Sequence, residues 1–211
     1  MRRWQAERQA FPGLRAAVDL AVRRRGRADR VAAGLLLSPT HLRLEVATPF
    51  GFPALVATVG PERITVFRPL ERKAWTARPT PDAVTRWLGA PLSPDLLLGL
   101  LAGQVPLPSD PTGVRVETAS SPHLAFERGA ARHRVWVTPQ GRPGQLVVED
   151  GERLTVTFEW AVSGDLQSVR AEVPGRDAEL TVRYISAEYV SPPPEAFELL
   201  LPADVALERV D

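Results

Sequence analysis

The chain has 211 residues, 44% hydrophobic and 24% charged, the proportions of a globular protein with enough length for one sizeable core. Its 26 basic and 25 acidic side chains leave a formal net charge of +1, so no strong overall field draws it to nucleic acid or to an anionic surface. Without cysteine there is no disulfide and no thiolate metal site, and no apolar run reaches the roughly 18 residues a membrane-spanning helix needs.

The opening segment, MRRWQAERQAFPG, is amphipathic and is no secretory signal. From Leu14 the dominant period is two. Leu14, Ala16, Val18, Leu20 and Val22 alternate with Arg15, Asp19 and Arg23, the mark of a half-buried strand. RVAAGLLL is the next strand, and a Ser-Pro-Thr turn separates it from Leu42, Leu44 and Val46, which alternate with Arg43 and Glu45. ALVATV and RITVF follow, joined by Gly60-Pro61-Glu62, and LERKAWTA completes a meander of six short strands.

Between the third and fourth of these strands, ATPFGFP places Phe50 and Phe52 where a turn belongs. Turns meet water and are normally polar. Burying an aromatic side chain contributes on the order of 2–3 kcal/mol. The two rings therefore either fold back onto the core or reach outward toward something apolar.

The period changes at residue 80. Thr80-Pro81-Asp82 and Ser93-Pro94-Asp95 each set an N-cap residue before a proline at the first helical position, with an acid following. The first helix buries Val84, Trp87 and Leu88 and ends at Gly89; the second, PDLLLGLLAG, is apolar on nearly every side and needs cover on more than one face. After a loop at 108–111, period two returns in GVRVETA, LAFERG, RHRVWVTP, GQLVVEDG, RLTVTFEWAV, SVRAEVP and AELTVRYISAEYV, with AFELLLP as a closing strand. Roughly a dozen strands and two or three helices fit one strongly curved antiparallel sheet with helices on one face. The expected organisation is a single domain over 1–211 with a helical lid inserted at about 80–104.

Signals for catalysis are poor. His41, His123 and His133 stand alone, with no His-x-x-x-His or His-x-Glu pair, and His133 reads as a surface residue. No nucleophile elbow, phosphate loop or dinucleotide fingerprint occurs. Glu149, Asp150 and Glu152 surround Gly151 as a solvated turn does, not as an acid pair across a cleft. Arg23, Arg24, Arg25, Arg27 and Arg30 form one basic run with no interleaved aromatic residue, which argues against nucleic acid. It straddles a hairpin turn around Gly26 and reads as a solvated loop, with anionic lipid headgroups as a minor target.

Two stretches, LRLEVATPFGFPALVATVGPERITVFRPLERKAW and TPDAVTRWLGAPLSPDLLLGLLAGQVPL, resemble the lipoprotein-localisation proteins of the LolA/LolB type. The order is similar: a proline–bulky apolar–glycine loop between the third and fourth strands, then a strand pair, a short helix, a Gly-x-Pro step and an apolar helix ending in Leu-x-Gly. FELLLP resembles the family's last strand. The resemblance covers most of the chain and implies a mainly β, α+β fold: an incomplete antiparallel β-barrel of about eleven strands, closed by helices over an apolar cavity. It implies acylated lipoproteins or other lipids as cargo, no cofactor, no metal and no bond chemistry.

The resemblance also places Phe50 where the outer-membrane receptor member carries a protruding leucine, so Pro49, Phe50, Gly51 and Phe52 are expected to form a membrane-insertion loop. Alternation and the resemblance together nominate Val18, Leu20, Leu42, Leu44, Val46, Val156, Phe158 and Trp160 on strands, with Leu97, Leu100 and Leu101 on the lid, as cavity lining; plain core packing is the alternative for each. The expected location is the periplasm, tethered to the outer membrane through an N-terminal lipid anchor, with the inner leaflet and a periplasmic carrier protein as partners. The alternatives are a periplasmic protein-interaction or sensor module on the same half-barrel, and a carrier of another lipid such as a sterol or hopanoid.

Overall fold

The computed structural model describes residues 2–48, 50–88, 92–108, 110–118 and 121–210, with the backbone alone at Arg2, Leu88 and Pro111. The first six strands fall where alternation predicts them: β1 (Leu14–Arg24), β2 (Arg27–Leu37), β3 (Leu42–Ala47), β4 (Pro53–Val59), β5 (Ile64–Arg68) and β6 (Lys73–Ala77). A short helix, α1 (Arg2–Gln9), precedes them, and α2 (Pro81–Leu88) and α3 (Pro94–Leu101) follow. The second series runs β7 (Arg115–Glu117), β8 (His123–Arg128), β9 (Ala131–Val137), β10 (Pro143–Asp150), β11 (Glu152–Trp160), β12 (Leu166–Val173) and β13 (Ala178–Tyr189), with β14 (Ala206–Arg209) last.

All fourteen strands join one open sheet, in the order β14-β6-β5-β4-β3-β2-β1-β13-β12-β11-β10-β9-β8-β7. The two meanders meet where β1 pairs with β13 from Leu14↔Tyr189 to Arg24↔Ala178. Because antiparallel hairpins reverse the chain at each turn, alternate turns share an end of the sheet. The β1–β2, β3–β4, β5–β6 and β12–β13 turns therefore lie along one rim, called here the upper rim.

The mainly β, open half-barrel is the architecture expected from the sequence, with fourteen strands instead of about eleven. The short edge strands β7 and β14 contribute to the excess. The closing strand is the clear correction. AFELLLP is not a strand: Pro194–Phe197 form a 3-10 turn and 198–205 run irregularly to β14, which lies parallel to β6. Pro192, Pro193 and Pro194 have no N–H to give a ladder. The carbonyls of Ala196 and Glu198 instead accept from the Arg43 guanidinium (3.3 and 2.9 Å).

Inward-facing residues of both meanders form one core, extending from Leu35, Leu37 and Leu42 through Val18 and Leu20 to Leu180, Val156 and Leu146. Both predicted N-caps are present. Thr80 Oγ1 accepts from Ala83 N–H at 3.2 Å, and Ser93 Oγ accepts from Leu96 N–H at 3.2 Å. Val84 is buried and Trp87 half-buried, its ring 5.7 Å from that of Trp75 on β6. The predicted stop at Gly89 lies outside the described residues, as does the Leu88 side chain.

His133 corrects a second expectation. It is 4% exposed, with its ring stacked on Phe126 at 5.1 Å and Nδ1 3.2 Å from the Ala131 carbonyl. It shares the inward parity of Val135 on β9, where strand position outweighs residue polarity.

Candidate functional site

The inner trough of the sheet is apolar and covered. Of the nominated lining residues, Val18, Leu20, Leu42, Leu97, Leu100, Leu101, Val156 and Phe158 are buried, and Leu44, Val46 and Trp160 are partly buried against the same core. The structure packs all of them together, and none borders the clefts described below.

What fills the trough is α3, whose Leu96, Leu97, Leu98, Leu100 and Leu101 are all buried. Its C-terminal end is fitted closely. Tyr184 Oη donates to the Leu101 carbonyl at 2.5 Å, and burial pushes the phenol's pKa upward, keeping the donor protonated. Gly103 follows at φ +69°, and a Cβ there would lie 2.6 Å from Trp160 Cη2. Trp160 is fixed in turn by its indole N–H, which donates to the Pro143 carbonyl at 2.6 Å.

At the upper rim the β3–β4 turn projects its aromatic side chains outward. Phe50 is 86% exposed and Phe52 65%. The turn is closed on itself: Thr48 N–H donates to the Phe52 carbonyl (2.7 Å), Gly51 N–H to the Thr48 carbonyl (2.9 Å) and Phe52 N–H to Thr48 Oγ1 (3.2 Å). Gly51 supplies the positive φ, +84°, that this closure requires. Pro49, the fourth residue of the expected loop, lies outside the described residues. A hydrogen-bonded turn that displays two bare phenylalanines answers the sequence question in favour of outward projection.

Two clefts bear on this frame. One, about 500 Å³, runs beneath the C-terminal segment, between Thr58, Thr65 and Thr76 on one side and Phe197, Leu199, Leu201 and Leu207 on the other. The second, about 1090 Å³, opens at the upper rim among Arg24, Arg25, Arg27, Arg86 and Arg176. Sequence reading placed the first three of these arginines in a solvated hairpin. It missed Arg86 and Arg176, which join them only through the β1–β13 pairing and the path of α2.

The polar groups elsewhere are isolated. Glu117 lies 3.1 Å from His123 and 3.0 Å from Arg132. Desolvation pushes its carboxyl up, but the hydrogen bond from His123 and the charge of Arg132 outweigh this and hold its pKa below the ordinary value. Burial lowers the pKa of His133, keeping the ring neutral. Among the described residues, no group of three or more His, Asp or Glu is arranged to hold a metal ion, and no helix is long and apolar enough to cross a membrane.

These features define an open antiparallel half-barrel with a helix-filled apolar trough and an apolar tip at its rim. The same fold is seen in a DUF1329 family protein from Desulfovibrio piger (TM-score 0.63, 13% identity, 93% of each chain). It is also seen in a LolA superfamily protein from Nitrosomonas europaea (0.57, 11% identity, 90% of this chain and 91% of that one). A third is a candidate outer membrane lipoprotein-sorting protein domain from Vibrio parahaemolyticus (0.55, 9% identity, 92% and 94%). The chain thus has a LolA-like fold. No family model matches it, and neither does any curated protein.

Proposed function

We propose that this is a periplasmic lipid-handling protein that takes acyl chains into the trough beneath α2 and α3 and hands an acylated lipoprotein to the inner leaflet of the outer membrane, without bond chemistry. The observation that carries this reading is the rim turn, where Phe50 and Phe52 stand in water on a closed, hydrogen-bonded support. Fully burying such a side chain contributes about 1.5–3 kcal/mol. Scaled by exposure, two rings entering a bilayer interface contribute about 2–4.5 kcal/mol, roughly 50- to 2,000-fold in partitioning. The turn supports a receptor-like role, with an N-terminal lipid anchor as the proposed tether. The LolA-like fold and the lipoprotein-sorting neighbour support the choice of cargo.

The test is co-elution of the purified chain with a detergent-freed acylated lipoprotein on a sizing column, followed by transfer to liposomes. A complex that is lost when the acyl chains are removed supports the reading. Phe50→Glu should then abolish delivery and leave cargo binding and thermal unfolding unchanged. No complex, with a known carrier binding normally, would sink the acyl-cargo reading. Loss of folding in Phe50→Glu would refute the outward role of the ring.

A further inference from the structure

The basic crevice lies at the upper rim, beyond the packed part of the trough. Val22 and Arg24 continue the inward parity of Val18 and Leu20 on β1, and Val22 and Ala178 supply the crevice's apolar surface. Around it stand Arg24, Arg25, Arg27, Arg86 and Arg176 against two carboxylates, Asp29 and Asp177. The whole chain carries a formal charge of only +1, so this surplus is local and does not reflect a generally basic protein.

The arginines differ in what they already hold. Arg176 is paired with Glu152 at 2.6 Å, and the neighbouring Arg23 with Glu179 at 2.8 Å and Asp177 at 3.7 Å. Arg24, Arg25, Arg27 and Arg86 make no ion pair among the described residues; Arg24 Nη1 donates to the Arg86 carbonyl at 3.2 Å, which ties the hairpin to the end of α2. The hairpin tip is also fixed from the other side. Arg25 N–H donates to the Asp177 carbonyl (3.2 Å) and Gly26 N–H to Asp177 Oδ2 (2.9 Å). Arg25 sits at φ 48°, a left-handed conformation better suited to glycine or asparagine.

The Phe50–Phe52 tip belongs to the same rim. β2 runs on for six residues, Arg27–Ala32, beyond its last pair with β3 at Ala33↔Val46, so the arginine hairpin stands on the strand next to the phenylalanine turn and projects past it. Guanidinium forks match the oxygens of a phosphate bidentately.

We propose that this crevice binds the phosphate headgroup of an anionic phospholipid in the bilayer surface, orienting the upper rim so that Phe50 and Phe52 enter the membrane beside it. The inference rests on the membrane-facing rim of the preceding section and is independent of the acyl cargo. Each arginine held near an anionic membrane surface strengthens binding by about fivefold. Neutralising two unpaired ones therefore weakens it by about 25-fold.

The experiment is vesicle flotation of the full chain at about 0.1 M salt, with phosphatidylglycerol–phosphatidylcholine vesicles against pure phosphatidylcholine. Arg25→Gln/Arg27→Gln should lose about 25-fold on the anionic vesicles and nothing on the neutral ones, with its thermal midpoint unchanged. Phe50→Glu should weaken binding to both. Wild-type affinity of the arginine variant for anionic vesicles, or an equal loss on both kinds, would overturn the proposal. Displacement of the wild-type chain by millimolar inorganic phosphate would overturn it in favour of a free-phosphate site. Charge-selective flotation without any lipoprotein co-elution would leave this inference standing and remove the cargo reading.

Discussion

Removing one oxygen atom from the inner face of β13 tests whether α3 is a lid. The last carbonyls of a helix have no partner within it, and the one at Leu101 is taken by the Tyr184 hydroxyl at 2.5 Å. Tyr184→Phe leaves that buried carbonyl unpartnered at a cost of about 1–2 kcal/mol. The closed state should then be disfavoured by a factor of about 5–30. The interaction is lost both when α3 lifts and when the chain unfolds, so global stability falls by the same amount. The diagnostic is therefore the route of amide exchange and not the midpoint alone. In the wild-type chain, Leu96–Leu101 amides should exchange through a sub-global opening that uncovers α3 and the trough, with a denaturant dependence below that of the β11–β13 amides, which exchange only on global unfolding. In Tyr184→Phe the α3 amides should accelerate 5–30-fold with the same sub-global dependence, and a fluorescent acyl probe should gain apparent affinity to match. One common exchange rate for α3 and the strands, with full denaturant dependence, would show α3 to be fixed core and defeat the lid argument.

Two further expectations concern stability. Gly103→Ala combines a left-handed backbone with a Cβ 2.6 Å from Trp160 Cη2, costing about 2–4 kcal/mol, whereas Gly51→Ala, with nothing within 4 Å of its Cβ, incurs only the backbone part; thermal unfolding of the two should separate them by several degrees, and equal midpoints would contradict the packing described. Burial lowers the His133 pKa below 6.5 in the folded chain. On acidification the unfolded chain takes up a proton before the folded one does, so this contribution is intact above about pH 6.5 and is lost as pH falls toward the depressed folded value. Denaturant midpoints at about pH 7.5 and 5 should show a larger acid loss for wild type than for His133→Gln, and equal losses would mean the ring is not buried neutral.

The strands and both helix starts were legible because their signals are local. Period two from Leu14 to Val22 and the Thr80 and Ser93 caps need no knowledge of the rest of the chain. The closing strand was not legible, because β14 is four residues placed by parallel pairing with β6, more than a hundred residues away. FELLLP has strand composition, but Arg43 claims the Glu198 carbonyl within it and the Ala196 carbonyl just before it. His133 was misread from its polarity, although its parity with Val135 already pointed inward. The arginine crevice was half visible: the hairpin run was in view, but Arg86 and Arg176 arrive from distant segments. The outward setting of Phe50 was expected from the resemblance and not from the alternation; the ring's exposure, on a turn closed by Thr48, is what bears on it.

The proposed transfer carries an energetic requirement that the trough itself sets. Lifting α3 exposes five leucines, at about 2 kcal/mol each on the order of 10 kcal/mol. A domain's whole stability is about 5–15 kcal/mol, so in water the lid stays down. An acyl chain recovers about 0.8 kcal/mol for each methylene it buries, and about a dozen buried methylenes replace what α3 gives up. A single long chain is thus close to balance, and a cargo with two or three chains tips the lid open. The same near-balance lets the chains leave: at the membrane, bilayer and α3 together offer more apolar contact than the trough alone. Direction then follows from where the rim is seated, which is the task proposed for the Phe50 tip and the arginine crevice.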